Sequence, residues 1–119
     1  MTQAWVVLTR ADGREVASPT EAQLATALAE VYDGAAPAND DGAASTVLRF
    51  GYDDGLMYEV EVAGGGAVRF GEWSDRDCEI ALAAPRRMLA LGRDEALQLW
   101  KWLALRQVAK IRSQPWLPD

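Results

Sequence analysis

The chain contains no histidine and a single cysteine, Cys78. Without histidine, the commonest general base near neutral pH and the commonest metal ligand are both missing. Ser-His and Cys-His nucleophilic pairs are excluded, as are the usual zinc sites, which draw on several cysteines and histidines. One cysteine cannot close an internal disulfide, so nothing asks for an oxidising compartment. Cys78 alternates with Ile80 and Leu82, which suits a small residue on a buried strand face better than a nucleophile. No apolar run approaches the ~20 residues of a membrane span, so no membrane partner is expected. The start, Met-Thr-Gln-Ala-Trp, lacks the basic and apolar regions of a signal peptide, which makes the cytoplasm the expected compartment. A basic excess is missing too. Twelve Lys and Arg stand against 18 Asp and Glu, a net charge of −6, whereas a nucleic-acid partner would require a basic surface.

What is present describes one domain spanning residues 1–119, with 50% hydrophobic and 25% charged residues, ordinary values for a folded chain of this length. Ala4 to Thr9 is β-branched and aromatic and is expected to form a strand. Asp12-Gly13 signals a turn, after which Glu15 to Ala17 makes a short return. Ser18-Pro19-Thr20-Glu21 has the form of a helix start, with Ser18 as cap, Pro19 in the first position and Glu21 closing a capping box. Leu24, Ala25, Leu28, Val31 and Tyr32 then share one helical face, and the helix ends near Asp33-Gly34. Residues 34–45 lack periodicity and are expected to be an exposed loop within the single domain.

A meander of four antiparallel strands follows: Thr46 to Tyr52, Met57 to Val62, Ala67 to Trp73 and Cys78 to Ala83. Period-two alternation sends Leu48, Phe50, Tyr52, Tyr58, Val60, Val62, Val68, Phe70, Ile80 and Leu82 to one face. Arg49, Glu59, Glu61, Arg69 and Glu79 go to the other. Pro85 ends the fourth strand, Arg86 to Leu91 crosses over, and a long helix runs from about Arg93 to Arg112 or Ser113, before Pro115. The fold class is therefore α+β, with an N-terminal strand, a helix, a four-stranded meander and a long C-terminal helix, both helices lying on one face of the sheet. Ala96, Leu99, Trp100, Leu103, Ala104, Val108 and Ile111 form the buried side of the last helix. Trp102 and Leu105 fall opposite, either as a contact surface or covered by the tail at 113–119.

The charge is uneven. Residues 1–85 carry 15 acids and five bases, while residues 86–119 carry seven bases and three acids. Either a basic last helix docks on an acidic sheet, or an acidic surface meets a basic partner and speeds its association. The carboxylates group as Asp40-Asp41, as Asp53-Asp54, and as Glu72 with Asp75 and Asp77. A carboxylate pair can support hydrolysis when a pocket separates its pKa values. Asp53-Asp54-Gly55 is also ordinary hairpin chemistry, and the Glu72–Asp77 loop lacks the ligand spacing of a calcium loop. Gly64-Gly65-Gly66 joins two strands, whereas a phosphate-cradling loop opens a helix. No cofactor or metal is expected. Trp73, set among Glu72, Asp75 and Asp77, is either a binding hot spot or a lid on the sheet edge.

The element order, a meander ending near Trp73, Pro85 after the last strand, and the Gln114-Pro115-Trp116 tail after the Ala96 to Ile111 helix carry a likeness. Together they resemble small immunity proteins of bacterial polymorphic-toxin and interbacterial-competition systems. The resemblance is spread over most of the chain and transfers no site residue. It implies a non-enzymatic inhibitor that binds a cognate toxin domain, one with a basic surface, and occludes its active site. Asp53, Asp54, Glu59, Glu61, Glu72, Trp73, Asp75, Asp77, Glu79, Trp102 and Leu105 are the candidate contact residues. The expected state is a monomer or weak homodimer. Two rivals remain open: a dimeric secretion chaperone using the Trp102–Leu105 surface, and a small enzyme using two converging carboxylates in a deep pocket.

Overall fold

The computed structural model describes residues 4–10, 13–32, 45–52, 55–63, 66–74, 86–88 and 92–118. Alternation of apolar and polar residues produces strands β1 (Ala4–Thr9), β2 (Glu15–Ala17), β3 (Ser45–Tyr52), β4 (Met57–Ala63) and β5 (Val68–Trp73). Two further pairings, β6 (Arg86–Met88) and the two-residue β7 (Leu117–Pro118), extend the same antiparallel sheet. Its order is β2-β1-β3-β4-β5-β6-β7. The helices are α1 (Glu21–Tyr32), α2 (Arg93–Ala104) and α3 (Val108–Arg112).

Register places Leu8, Leu48, Val60 and Phe70 side by side across four strands, each at most 1% exposed. Thr46, Val62, Val68 and Met88 form a second buried row. Leu24, Ala27 and Leu28 of α1, with Ala96, Leu99, Trp100 and Leu103 of α2, close over this face in one continuous core. Each buried Leu-, Phe- or Val-sized side chain contributes roughly 1.5–3 kcal/mol through removal from water. Trp100 is fully buried, and its indole N–H donates to the Val60 carbonyl at 3.0 Å.

The α+β class, an antiparallel sheet and helices on one face agree with the sequence reading, but several details differ. The helix start lies two residues later than expected. Thr20 and Gln23, not Ser18 and Glu21, form the capping box, Thr20 N–H donating to Gln23 Oε1 at 2.8 Å and Gln23 N–H to Thr20 Oγ1 at 3.2 Å. Ser18 is still held by the sheet. Its N–H donates to the Val6 carbonyl at 2.9 Å, and its φ of 50° is incompatible with a cap.

The three strands β3, β4 and β5 pair in chain order as a meander. The expected fourth strand, Cys78 to Ala83, and the expected loop 34–45 up to residue 44 lie outside the described residues. Arg86 to Met88, expected to cross over, instead pairs with β5.

The expected single long helix is broken. Arg106 takes φ 63°, its N–H donates to the Leu103 carbonyl at 3.0 Å, and Gln107 N–H reaches the Trp102 carbonyl at 2.8 Å. This is a Schellman closure with arginine where glycine is usual. Continued straight, the helix would carry Ile111 roughly 10 Å past Ala104. The break returns Ile111 to the core, where it is fully buried. The tail then crosses the sheet edge, with Trp116 stacked on Phe70 at 5.5 Å between centroids and donating its indole N–H to the Ile111 carbonyl at 2.7 Å.

A non-glycine residue in the left-handed region costs about 1–2 kcal/mol, partly offset by the greater unfolded-state entropy of glycine. Arg106→Gly is therefore expected to raise stability by about 0.5–1 kcal/mol. The midpoint of urea unfolding measures this, and a lower midpoint would contradict the strained-closure account.

Candidate binding face

The outer side of the sheet is a second set of rows. Trp5, Gly51, Met57 and Trp73 lie adjacent across β1, β3, β4 and β5. Beside them run Val7, Arg49, Glu59 and Gly71, and then Thr9, Val47, Glu61, Arg69 and Arg87. Among the described residues, α1 and α2 contribute their buried side chains to the opposite face. The outer rows keep intermediate exposure at Trp5, Arg49, Glu59, Glu61 and Trp73, and Arg69 is exposed.

Two glycines inside strands make room for the two outer indoles. A β-carbon at Gly51 would lie 2.8 Å from Trp5 Cε2 and 2.7 Å from the Leu56 carbonyl oxygen. At Gly71 it would lie 2.7 Å from Trp73 Nε1. Each indole thus packs against a glycine where a β-carbon would clash with it. Met57, in the row between them, is 2% exposed although it belongs to the outer face.

A polar chain crosses the same surface. Trp73 Nε1–H donates to Glu59 Oε1 at 3.1 Å, and Arg49 Nε–H to Glu59 Oε2 at 3.2 Å. Arg49 Nη1–H continues to Thr9 Oγ1 at 3.3 Å. These bonds fix the azimuth of the Trp73 ring and neutralise Glu59. The ion pair is partly exposed, at 34% and 22% for the two side chains, so its own contribution to stability is about 0.5 kcal/mol. A cleft of about 250 Å³ opens here, lined by Val47, Arg49, Glu59, Glu61, Arg69 and Trp73 among others. That is small for a metabolite pocket.

The candidate contact residues separate on this geometry. Glu59, Glu61 and Trp73 come together around the cleft. Trp73 is the last residue of β5 rather than part of a loop. Asp53, Asp54, Asp75, Asp77 and Glu79 lie outside the described residues, as do Asp40, Asp41 and Cys78. Trp102 is half-buried and shares a groove with Met88, Leu99 and Gln114. The aromatic end of the tail does not cover Leu105, which is 65% exposed.

Glu72 is not a surface acid. It sits on the inner face of β5, 5% exposed, and accepts from Arg112 Nε–H at 2.8 Å as well as from Arg112 Nη2. Arg86 approaches its other oxygen at 3.6 Å. The hydrogen bond to Glu72 raises the Arg112 pKa above its ordinary value, and the guanidinium also lies over the Tyr58 ring at 5.8 Å. This cluster fastens α3 and β6 to β5. The alternation of β5 already placed Glu72 with Val68 and Phe70, so its burial was readable from sequence; its two arginine partners were not. Gly51 and Gly71, isolated glycines within strands, were the unused signal for the indole seats. Trp5 needed the register.

Among the described residues, no group of three or more Asp, Glu, Cys or His is placed to hold a metal ion. No helix among them is long and apolar enough to cross a membrane. The fold and face define a two-layer α+β domain with helices on one side of its sheet and an aromatic, charge-laddered surface on the other. Comparison with protein-family models, with curated proteins and with solved structures found no match to this chain.

Removing the charge of Glu72 leaves two guanidinium groups with one neutral amide oxygen in place of a shared carboxylate. Because Arg112 is half exposed and regains water, Glu72→Gln is expected to cost about 1–2 kcal/mol rather than the full penalty of a buried pair. An unchanged urea midpoint would show that the cluster adds nothing to stability.

Proposed function

We propose that this protein is a non-catalytic inhibitor of the immunity type, acting in the cytoplasm by binding a cognate toxin domain and occluding its active site. The observation that carries the reading is the outer sheet face. Two half-buried indoles packed against strand glycines, one of them, Trp73, tied by a hydrogen bond to Glu59, present ordered aromatic area at low entropic cost, the character of a protein-binding hot spot. Glu59 and Trp73 lie at its centre, and Glu61 lines the same surface.

The chain's acidity plays a different part. On the described outer face Glu15, set opposite Thr9, with Glu59 and Glu61 are equalled in number by Arg49, Arg69 and Arg87. The excess acid of residues 1–85 therefore acts as a long-range field that draws in a basic partner, while the contact itself is aromatic and paired. A partner directed at nucleic acid or nucleotides would carry such a basic surface. Co-expression with the cognate toxin domain is expected to restore growth, and the 1:1 complex is expected to associate more slowly as salt rises. Absence of rescue would overturn the inhibitor reading; an association rate flat in salt would remove the steering.

The exposure of Leu105 favours one second reading, a chaperone that dimerises through the Trp102–Leu105 surface. Sedimentation of the isolated protein separates the two. A dimer abolished by Leu105→Glu would favour the chaperone, and a monomer would exclude it.

A further inference from the structure

Among the described residues, one carboxylate of the outer cleft is left with spare hydrogen-bonding capacity. Arg49 and Glu59 are bonded to each other, and Glu59 spends its remaining oxygen on Trp73. Arg69 has a contact of its own. Glu61, by contrast, receives among the described residues one hydrogen bond, from Ser45 Oγ at 3.5 Å, at the outer limit for such a bond. It lines the same cleft of about 250 Å³ as the Trp73 indole. Trp73 is held in place by Glu59 and by the absence of a β-carbon at Gly71.

A carboxylate that makes one long hydrogen bond among the described residues, lining the same cleft as an immobilised indole, is chemistry suited to a flat cation. A guanidinium can present two parallel N–H groups to Glu61, while its plane or its hydrocarbon stem lies along Trp73 and Val47. An incoming anion would meet Glu59 and Glu61 together, with Arg49 bonded to Glu59, and with Arg69, opposite Glu61, engaged in a contact of its own. We propose that this cleft is a receptor for a single arginine side chain projected by the protein partner. The inference rests on the binding role proposed for this face only in taking the partner to be a protein.

The test uses the full chain, labelled with nitrogen-15, and N-acetyl-arginine N-methylamide as probe. The citrulline and glutamate analogues serve as neutral and anionic controls. The Trp73 indole N–H resonance, assigned by its loss in Trp73→Phe, is expected to shift saturably with arginine at millimolar affinity and to respond at least tenfold more weakly to citrulline. Glu61→Gln is expected to weaken arginine binding about tenfold while leaving the rest of the spectrum in place, because Glu61 makes one long bond. Gly71→Ala, whose β-carbon would displace the indole, is expected to weaken it without touching any charge. Equal shifts with arginine and citrulline, tighter binding of the glutamate analogue, or undiminished binding by Glu61→Gln would each overturn the proposal. Arginine binding without toxin rescue would sink only the inhibitor reading, whereas rescue without arginine binding would sink only the cleft.

Discussion

The bond from the Trp100 indole to the Val60 carbonyl organises this molecule. Trp100 is the largest fully buried side chain, and a buried indole N–H without an acceptor costs about 1–3 kcal/mol. Its acceptor lies in the middle of β4, a strand paired on both edges. Meeting that requirement pins α2 across the centre of the sheet, and α1 packs beside it through Leu24 and Leu28. With both helices committed to one side, the outer rows carry, among the described residues, the strands' own side chains.

The consequence is sharpest at two consecutive residues. Glu72 and Trp73 are neighbours in β5 and face opposite ways. Glu72 turns inward and holds Arg112 and Arg86, so it fastens the C-terminal segment. Trp73 turns outward, lies across Gly71 and bonds Glu59. A shift of one residue in register would exchange these duties, placing an indole where two guanidiniums converge. The buried rows resist such a slip, and the precision of the outer face is inherited from the packing of the inner one.

The uneven charge along the chain is partly spent inside it. Lys101 of α2 pairs with Glu21 of α1 at 3.1 Å, and Arg112 and Arg86 converge on Glu72. The basic C-terminal third thus docks on acidic residues of the first two thirds. Exposed pairs such as Lys101–Glu21 contribute little to stability, and their larger effect is to orient the helices. What remains of the negative charge lies outside these pairs, and the outer face itself carries charges of both signs beside aromatic rings.

The sequence by itself determined the strands β1 to β5, the α1 stripe and the buried face of α2, because each is a local period of apolar residues that survives whatever packs on it. It also determined which face carries Arg49, Glu59, Glu61 and Arg69, since alternation does not depend on the partner strand. Tertiary structure decided the rest. Leu105-Arg106-Gln107 contains neither glycine nor proline, yet the helix breaks there because Ile111 and Arg112 find more burial and a carboxylate on β5. Ser18 lost the capping role to Thr20 because a backbone bond to Val6 held it in the sheet. The cleft belongs to the same class of outcome. Val47, Arg49, Glu59, Glu61 and Trp73 come from three strands, and only their register brings these side chains together around one cleft.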